Sequence, residues 1–274
     1  MDLSGKVAVV TGASMGIGEA LARIFVDHGA GVVVLSRDAG RAEAARHRVG
    51  HPERTIALAC DVRNREEIDR VVGLTLHHFN RIDIWVNNAG YGLRTPVANA
   101  KMTDVRNLFE TNFFGAVEAM EAVAAVMQQQ GSGTIINISS VAGHIPLPFS
   151  AFYSATKFAL NAIGKAARLE LAGAGIHVLT VCPGYVRTNF SANVVRSGTN
   201  KETRPAWVRG ISAERVARAV LRAYGKQKRE VVVPWSMHPV IKLYQLFPGL
   251  LEWGMGKGLA RGRQIPRSSV NETP

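Results

Sequence analysis

The feature that most constrains the fold is an apolar, strand-like run followed directly by a glycine turn and an amphipathic helix. Residues 6–11 (Lys-Val-Ala-Val-Val-Thr) lead into Gly12, Gly16 and Gly18, and an apolar-periodic segment continues to about residue 28. Such a unit can bind a pyrophosphate, because glycines let the backbone approach the phosphates and the helix amino terminus offers unpaired N–H groups. A glycine-rich turn can also be purely structural, but both flanking elements are present, so the sequence predicts nucleotide binding.

The alternation of apolar runs and helical segments continues along the chain. Six further runs have the composition of buried strands: residues 31–36, 55–60, 82–86, 134–138, 176–181 and 230–233. Right-handed crossovers between such strands give an open parallel sheet. We therefore predict an α/β, Rossmann-like fold in which residues 1–234 form one domain, a doubly wound seven-stranded parallel sheet with helices on both faces.

The residues after the second strand bear on which dinucleotide binds. A free ribose 2′-hydroxyl is usually met by Asp or Glu at this point, whereas Ser36 and Arg37 offer a hydroxyl and a cation suited to a 2′-phosphate. Asp38, one place further on, is interpreted as the cap of the next helix. The sequence thus favours NADP(H), with NAD(H) retained as the alternative; the plain interpretation of Arg37 is a solvated surface charge.

Three further strand ends bring small and polar residues to the edge where parallel sheets bind ligands. Asp61 can accept from an adenine amino group or cap the next helix. The Asn-Asn-Ala-Gly segment ending at Gly90 can bond neighbouring backbone or the nicotinamide ribose, and the sequence does not separate these two. The Pro-Gly turn before Thr188 places backbone amides near the same crevice.

Tyr153 and Lys157 stand four residues apart in a predicted helix that ends near residue 172. This spacing puts a phenol and an ammonium on one helix face, about 6 Å apart along its axis, where the cation favours the phenolate. Thirteen positions before the tyrosine, Ser140 follows a strand, and the intervening loop is long enough to bring both hydroxyls to one carbonyl oxygen. Such a Tyr–Lys pair alone usually means a half-buried aromatic beside a solvated charge, but the strand-end features favour an acid–base site.

Taken together, these motifs resemble the short-chain dehydrogenase/reductase family over about residues 4–234. The shared motifs are Thr-Gly-x-x-x-Gly-Ile-Gly, Asn-Asn-Ala-Gly, a helical Asn112, Ile-Ser-Ser, Tyr-x-x-x-Lys and Pro-Gly, and the helix through Asn112 is expected to continue, with a break, to about residue 130. The resemblance implies that Tyr153 donates or accepts the proton, and that Lys157 lowers the pKa of Tyr153 and holds the nicotinamide ribose. It further implies that Ser140 holds the substrate oxygen and that Asn112 supports a proton relay through water to Lys157.

Cofactor contacts are predicted along the same edge of the sheet, from these motifs and the resemblance together. The predicted dinucleotide-binding residues are Gly12, Ser14, Met15, Gly16, Ile17, Gly18, Ser36, Arg37, Asp61, Val62, Asn88, Ala89, Gly90, Tyr153, Lys157, Pro183, Gly184, Val186 and Thr188.

The activity implied by the resemblance is the interconversion of a hydroxyl and a carbonyl by hydride transfer, with Tyr153 as acid or base. Ser140, Tyr153, His144 and Tyr185 are predicted to contact the substrate, and residues 189–207 to form a mobile lid. Apolar and aromatic residues around this crevice favour a small lipid-, steroid- or aromatic-like substrate. The alternative is an NADP-binding sensor or scaffold without turnover, although such a protein has no need of a phenol beside an ammonium. The family also implies a homodimer or homotetramer.

The net charge of +12 is concentrated at the carboxyl end, where residues 204–274 hold 13 basic and 4 acidic residues, or +9 of the total. Residues 235–253 are rich in large apolar groups, and residues 257–263 are basic. We predict that residues 235–274 form a helical extension serving as a lid, a subunit contact or a peripheral contact with an anionic membrane. Nucleic acid is not predicted as a partner, because no binding module supports it.

Cys60 and Cys182 each end a predicted buried strand, which indicates two reduced core thiols and neither a disulfide nor a metal site. The amino terminus lacks a basic segment followed by a long apolar run, and no apolar stretch approaches the ~20 residues of a membrane span. The sequence predicts a cytoplasmic protein, either free or peripheral to a membrane.

Overall fold

The structure is a computed structural model that describes residues 1–196 and 210–261, with side chains described up to residue 257. Within these residues the strands are β1 (Val7–Val10), β2 (Gly31–Ser36), β3 (Thr55–Ala59), β4 (Ile84–Asn87), β5 (Leu93–Arg94), β6 (Gly133–Ile138), β7 (Ile176–Pro183), β8 (Val195–Arg196) and β9 (Glu230–Val233). Seven of them form one parallel sheet in the order β3-β2-β1-β4-β6-β7-β9, and β5 pairs with β8 in a separate ladder. The predicted doubly wound seven-stranded sheet is confirmed.

Helices connect the strands and cover both faces of the sheet. The α-helices of the described residues are α1 (Gly16–Asp27), α2 (Ala39–Val49), α3 (Arg65–Phe79), α4 (Met102–Phe109), α5 (Gly115–Gln130), α6 (Ala151–Leu171), α7 (Ala213–Gly225), α8 (Met237–Leu246) and α9 (Pro248–Arg261). A π-helical turn, Glu110–Phe114, lies between α4 and α5. The break predicted in the helix through Asn112 is therefore this turn, and Asn112 lies within it.

The register carries the carboxyl ends of four central strands to one edge of the sheet. Val10 of β1 pairs with Val86 of β4, Val86 pairs with Ile136 of β6, and Ile136 pairs with Leu179 of β7. The chain runs from β1 outward to β2 and β3 and then returns to β4 on the other side of β1. Ligands bind outside the carboxyl ends at such a switch point, because the two flanking loops diverge there and leave a crevice.

Alternate residues of the central strands enter two apolar cores, one on each face of the sheet. Val10 and Val86 pack with α1 and α7 on one face, whereas Val9 and Trp85 pack with α3 and α5 on the other. Because both faces are covered, successive residues of β1 are all buried. This double burial explains why the strands are continuous apolar runs in the sequence and not alternating ones.

A buried carboxylate, Asp83, anchors the end of the sheet opposite the crevice. Its oxygens accept from the Val7 N–H at 3.0 Å, from Lys6 Nζ at 3.0 Å and from Arg81 at 2.7 Å. Burial raises the pKa of Asp83, but the hydrogen bonds from Arg81, Lys6 and Val7 outweigh it, so the net pKa lies below its usual value.

We expect Asp83→Asn to destabilise the protein by about 2 kcal/mol at neutral pH. This is less than the loss expected for a fully buried ion pair, because solvent screens the two half-exposed cationic partners. Since the pKa of the folded state lies below that of the unfolded state, the Asp83 contribution is present above pH ~4 and is lost as the pH falls through the folded pKa. Urea unfolding across this range should show a smaller acid loss in Asp83→Asn than in the wild type. Asp69→Asn, at an exposed carboxylate paired with Arg65, is the control; equal effects of both substitutions would contradict the assignment.

The chain divides into a compact unit from Met1 to Trp235 and a second unit that begins at Ser236. In the second unit α8 and α9 form a pair in which the Tyr244 hydroxyl donates to Glu252 at 3.0 Å. Leu246, Phe247 and Leu250 are exposed. None of the helices that the structure describes combines the length and apolar character needed to cross a bilayer. Of the basic segment at residues 257–263, only Lys257 has a described side chain.

Candidate active site

The glycine turn after β1 is held open by contacts that only glycine permits. Gly12 and Gly16 have φ angles of +61° and +62°, and a Cβ atom on Gly12 would lie 2.8 Å from the Ala89 Cα atom. A Cβ on Gly18 would lie 2.6 Å from the Gly12 carbonyl oxygen. The helix α1 then starts at Gly16 with no side-chain cap. The bare helix amino terminus and the close-approach turn fit the pyrophosphate of a dinucleotide.

Thr11 organises this turn, a role that the sequence reasoning missed. Its hydroxyl accepts from the N–H groups of Asn88 and Ala89, both at 2.9 Å, and donates to the Val86 carbonyl at 3.0 Å. The Asn88 amide nitrogen donates to the carbonyls of Thr11 at 2.8 Å and Gly12 at 3.1 Å. The sequence left open whether the amide segment bonds neighbouring backbone or the nicotinamide ribose. The Asn88 side-chain amide bonds neighbouring backbone.

At the end of β2 the side chains present an exposed cation, followed by a carboxylate that caps the next helix. Ser36 is buried and Arg37 is exposed. Asp38 caps α2 by accepting from the Arg41 N–H at 2.7 Å, as predicted. Asp61 is bound by Arg63 at 2.5 Å, and this hydrogen bond lowers the pKa of Asp61, with a smaller contribution from Arg37. The adenosine end of the predicted cofactor site thus presents the exposed Arg37 guanidinium, whereas Asp61 is paired with Arg63.

Arg48, another residue missed from the sequence, reaches the same region from the end of α2. Its guanidinium donates to the Ser14 carbonyl at 2.8 Å and to Glu19 at 2.9 Å. No sequence signal points to it, because the contact depends on how α2 lies against α1. Arg48 ties the glycine turn to the helix that follows the Arg37 strand end.

Ser140 and Tyr153 meet across the loop between β6 and α6, as predicted. Ser140 begins a 3₁₀ turn, Val141–Gly143, where its hydroxyl accepts from the Ala142 N–H at 3.0 Å and lies 3.4 Å from the Pro183 carbonyl oxygen. The Ser140 hydroxyl lies close enough to the Tyr153 phenol to oppose the rise in the pKa of Tyr153. The loop that separates them in sequence folds back so that the two hydroxyls adjoin at the carboxyl edge of the sheet.

Lys157 and Asn112 complete the cluster from α6 and the π-helical turn. The buried Lys157 ammonium donates to the Ile138 carbonyl at 2.9 Å and lies 5.8 Å from the Tyr153 ring centroid. The Asn112 amide accepts from the Tyr91 N–H at 3.0 Å and donates to the Tyr91 carbonyl at 2.9 Å. Both groups adjoin Gly90, where an added Cβ atom would lie 2.9 Å from Asn112 Oδ1 and 3.9 Å from Lys157 Nζ.

Burial moves the pKa values of the two central groups in opposite directions. It raises the pKa of Tyr153 to about 12, opposed by the hydrogen bond from Ser140. It also lowers the pKa of Lys157 to about 8. At neutral pH the phenol therefore retains its proton and the lysine is largely an ammonium. The lowering of the Tyr153 pKa by Lys157 that the resemblance implies stays a prediction.

The segment after β7 lies over Tyr153, although only part of the predicted lid is described. Thr188 caps the turn Asn189–Asn193, and its methyl group would be 3.2 Å from a Cβ on Gly16. Within that turn, the ring of Phe190 lies 5.9 Å from the Tyr153 ring. β8 then pairs with β5, so that the segment crosses the crevice. Residues 197–207 of the predicted lid lie outside the described residues.

Three other predicted contacts are already engaged within the protein. The Gly184 N–H donates to the Val233 carbonyl at 2.7 Å, and Val186 forms a bridge with Ile211. The Tyr185 hydroxyl lies 3.4 Å from the Ser191 hydroxyl. The roles of these residues toward cofactor or substrate stay predictions.

His144, predicted to contact substrate, is buried, and its Nε2 atom lies 3.4 Å from Cys182 Sγ and 3.5 Å from Glu230 Oε1. This nitrogen is directed toward β7 and β9. Its predicted substrate contact stays a prediction. Both cysteines are free and buried.

A glycine cradle beside a hydroxyl, a phenol and an ammonium, at the switch point of a doubly wound sheet, defines the class of dinucleotide-binding oxidoreductases. Comparison with known proteins identifies the family within this class. The family model described as short chain dehydrogenase matches residues 6–198. The chain belongs to the short-chain dehydrogenase/reductase family.

Similarity to an individual relative supports the same assignment, and similarity to solved structures supports the fold. The chain is 31% identical over 260 residues to "Dehydrogenase/reductase SDR family member 7B" of Danio rerio, covering 91% of this chain and 84% of that protein. A short chain dehydrogenase/reductase from Burkholderia phymatum in complex with NAD has a TM-score of 0.82 at 22% identity, covering 92% of this chain and 96% of its own. The 3-ketoacyl-(acyl-carrier-protein) reductase from Brucella melitensis complexed with NADH has a TM-score of 0.76 at 26% identity, covering 85% and 98%.

Proposed function

We propose that the protein is an NADP(H)-dependent enzyme that interconverts a hydroxyl and a carbonyl on a small apolar molecule. The observation that carries this proposal is the convergence of Ser140 and Tyr153 beside the buried Lys157 ammonium. A protein that only bound a dinucleotide would have no need of two hydroxyls adjoining at the carboxyl edge of its sheet.

The residues of the chain would stabilise and protonate one substrate oxygen. When bound, the nicotinamide supplies or accepts the hydride. The hydroxyls of Ser140 and Tyr153 donate to the substrate oxygen, and they stabilise the negative charge that develops there more in the transition state than in the ground state. Tyr153, whose phenol holds its proton at neutral pH, gives that proton to the oxygen during reduction. The Lys157 ammonium stabilises the resulting phenolate and binds the ribose, and Asn112 orients a water that returns the proton through Lys157.

The choice of NADP(H) over NAD(H) rests on the charges at the end of β2. Arg37 is an exposed cation at the position where a 2′-phosphate would lie. Asp38, the nearest carboxylate in sequence, uses one oxygen to cap α2, and it lies beyond Arg37, past the strand-end position at which Asp or Glu usually meets a free 2′-hydroxyl. The Brucella protein, at 26% identity, is described as complexed with NADH, which supports a nicotinamide cofactor for this chain. The preference for the 2′-phosphate rests on Arg37 alone.

The substrate class follows from the apolar residues near the two hydroxyls. Tyr91, Phe152 and Tyr153 pack on a small apolar cluster that contains Leu93, and Phe190 lies against Tyr153. Such walls favour a lipid-, steroid- or aromatic-like carbonyl compound. The name of the Brucella protein describes reduction of a ketoacyl group, which is the same class of reaction.

A substrate screen with both cofactors tests this function. Purified protein is assayed for NADPH and NADH oxidation over a panel of aliphatic, steroid and aromatic carbonyl compounds. The variant Ser140→Ala is assayed in parallel. We expect turnover with NADPH that Ser140→Ala lowers by about 10²-fold, the effect of removing one donor to a developing oxyanion. Tight NADPH binding without turnover on any carbonyl would instead support the sensor or scaffold.

Carbonyl reduction is expected to slow as the pH rises through about 8. Burial lowers the pKa of the Lys157 ammonium to about 8, so the cation that stabilises the Tyr153 phenolate is present below this pH and lost above it. The profile of kcat/KM against pH measures this effect, and circular dichroism over the same range is the control for unfolding. A profile that stays flat well above this pH would contradict the role of Lys157.

We further propose that the protein assembles as a homodimer or homotetramer through α5 and α6. Phe158 and Leu169 on α6 are exposed, as is Phe114 directly before α5. Large apolar side chains on neighbouring helices suit a subunit contact. Light scattering after gel filtration should give a mass above that of one chain, and Leu169→Glu should shift it toward the monomer. A monomeric wild type would rule out this assembly.

The residues from Ser236 onward are proposed to contact an anionic membrane surface. Exposed Phe247 and Leu250 supply apolar anchors, and Lys257 lies over the Trp253 ring at 3.7 Å. Full-length protein should co-sediment with vesicles containing anionic lipid, and protein truncated after Pro234 should not. Equal partitioning of both would overturn the membrane contact and favour a lid or subunit contact.

A further inference from the structure

Three potential metal ligands from separate parts of the chain converge beside α6. His144 follows the turn after β6, Cys182 lies near the end of β7, and Glu230 is the first residue of β9. His144 Nε2 lies 3.4 Å from Cys182 Sγ and 3.5 Å from Glu230 Oε1. The three ligand atoms all lie within 4.8 Å of one another. The proposed hydride transfer assigns no step to these three residues, and the Nε2 atom of His144 is directed toward Cys182 and Glu230.

The geometry distinguishes a metal site from a proton relay. In a Cys–His–carboxylate relay the carboxylate bonds one ring nitrogen and the thiol bonds the other. Here Cys182 and Glu230 both face the same nitrogen of His144. A tetrahedral zinc ion with ordinary bond lengths separates its N, S and O ligand atoms by roughly 3.4–3.6 Å. The two measured distances to His144 Nε2 match this separation, and only the contact between Cys182 and Glu230 must shorten.

The three residues combine a rigid pair with one adjustable ligand. His144 and Cys182 are buried. Asn161 on α6 holds the His144 segment, because its amide donates to the Gly143 carbonyl at 2.8 Å and lies 3.5 Å from His144 Nε2. The side chain of Glu230 is 28% exposed, and its strand β9 is at the edge of the sheet. This edge gives an ion a route of entry and lets the carboxylate close on it.

We propose that His144, Cys182 and Glu230 form a binding site for a divalent transition-metal ion of the zinc class. Sulfur and imidazole ligands exclude the hard cations magnesium and calcium, which take oxygen ligands. The Cys182 S–H bond breaks, a metal–sulfur bond forms and one proton leaves to solvent. The thiolate and carboxylate then balance the charge of the ion, and solvent beside Glu230 supplies a water as the fourth ligand.

Such an ion would hold in place the two chain segments that contact Ser140, and it would take no part in hydride transfer. His144 lies four residues after Ser140, beyond the turn that the Ser140 hydroxyl caps. Cys182 directly precedes Pro183, whose carbonyl lies 3.4 Å from that hydroxyl. The site therefore joins the two segments that position Ser140. Its existence is independent of the proposed substrate and cofactor.

Cobalt titration of metal-free, full-length protein tests the site, because a cobalt–thiolate bond gives a charge-transfer absorption band in the near ultraviolet. We expect one equivalent of Co²⁺ to produce this band and one equivalent of Zn²⁺ to displace it. Cys182→Ser should abolish the band, whereas Cys60→Ser, the same substitution at the other buried cysteine, should leave it unchanged. Surface pairs such as His51 and Asp27, 3.3 Å apart, contain no sulfur and cannot produce the band.

Glu230→Gln provides a second test at a residue on the sheet edge, in case Cys182→Ser does not fold by circular dichroism. It should weaken Zn²⁺ binding by at least about tenfold, as measured by competition with a chromophoric chelator. Zinc should also raise the unfolding temperature of the wild type and Cys60→Ser, but not that of folded Cys182→Ser. Absence of the cobalt band in the wild type, its persistence in Cys182→Ser, or an unchanged zinc affinity in Glu230→Gln would each overturn the proposal.

Discussion

Tyr153→Phe is expected to lower kcat for carbonyl reduction by about 10²–10⁴-fold, the range for loss of a positioned general acid. The substitution removes only the hydroxyl that adjoins Ser140 and preserves the ring that packs against Phe190. Because the glycine turn and Arg37 are untouched, the dissociation constant for NADPH should change by less than about tenfold, the scale of one hydrogen bond. Steady-state assays and fluorescence titration measure the two quantities.

The control for Tyr153→Phe is Tyr224→Phe, which removes a hydroxyl from a tyrosine on α7 that packs against the core on the α1 face. It should leave both kcat and NADPH binding near the wild-type values. Turnover near the wild-type rate in Tyr153→Phe would refute the proposed proton transfer. Loss of NADPH binding together with turnover would show that the phenol acts mainly in holding the cofactor.

The parts of the fold and site that follow from local sequence are those that depend on short-range chemistry. The glycine turn is predictable because Gly12 and Gly16 adopt positive φ angles that other residues avoid. The helix caps Asp38 and Ser212 are also predictable, because a cap depends only on a side-chain oxygen and a nearby backbone N–H. Each accepts from the backbone N–H of the third residue after it. The common edge of the strands follows from the parallel order of βα units.

The parts that do not follow from the sequence depend on side chains from distant elements. The Asn88 amide could bond backbone or cofactor, and only the position of Thr11 shows that it bonds the glycine turn. The direction of the His144 ring depends on Cys182, 38 positions away. The pKa of Tyr153 rises because burial outweighs the hydrogen bond from Ser140, and the Tyr-x-x-x-Lys spacing does not reveal this balance.

The second large effect concerns the choice of cofactor, which is independent of substrate identity. Arg37 contributes to the low pKa of Asp61 and is exposed at the end of β2, so it can turn toward a phosphate without breaking a buried contact. A hydrogen bond between charged groups contributes about 1.5–3 kcal/mol. A ribose 2′-hydroxyl offers Arg37 no charge, so the cation should distinguish the two cofactors.

We therefore expect Arg37→Ala to weaken NADPH binding by about 10–100-fold, the equivalent of one charged hydrogen bond, while NADH binding changes little. Fluorescence titration with each cofactor gives the ratio of the two affinities without any need for a substrate. Arg41→Ala is the matched control, because Arg41 is also exposed and lies on the first turn of α2. The substitution preserves the Asp38 cap, since that hydrogen bond comes from the backbone N–H of residue 41. If NADPH and NADH binding weakened equally in Arg37→Ala, or if Arg41→Ala had the same effect, the 2′-phosphate would not be bound by Arg37 and the preference for NADP(H) would lose its physical basis.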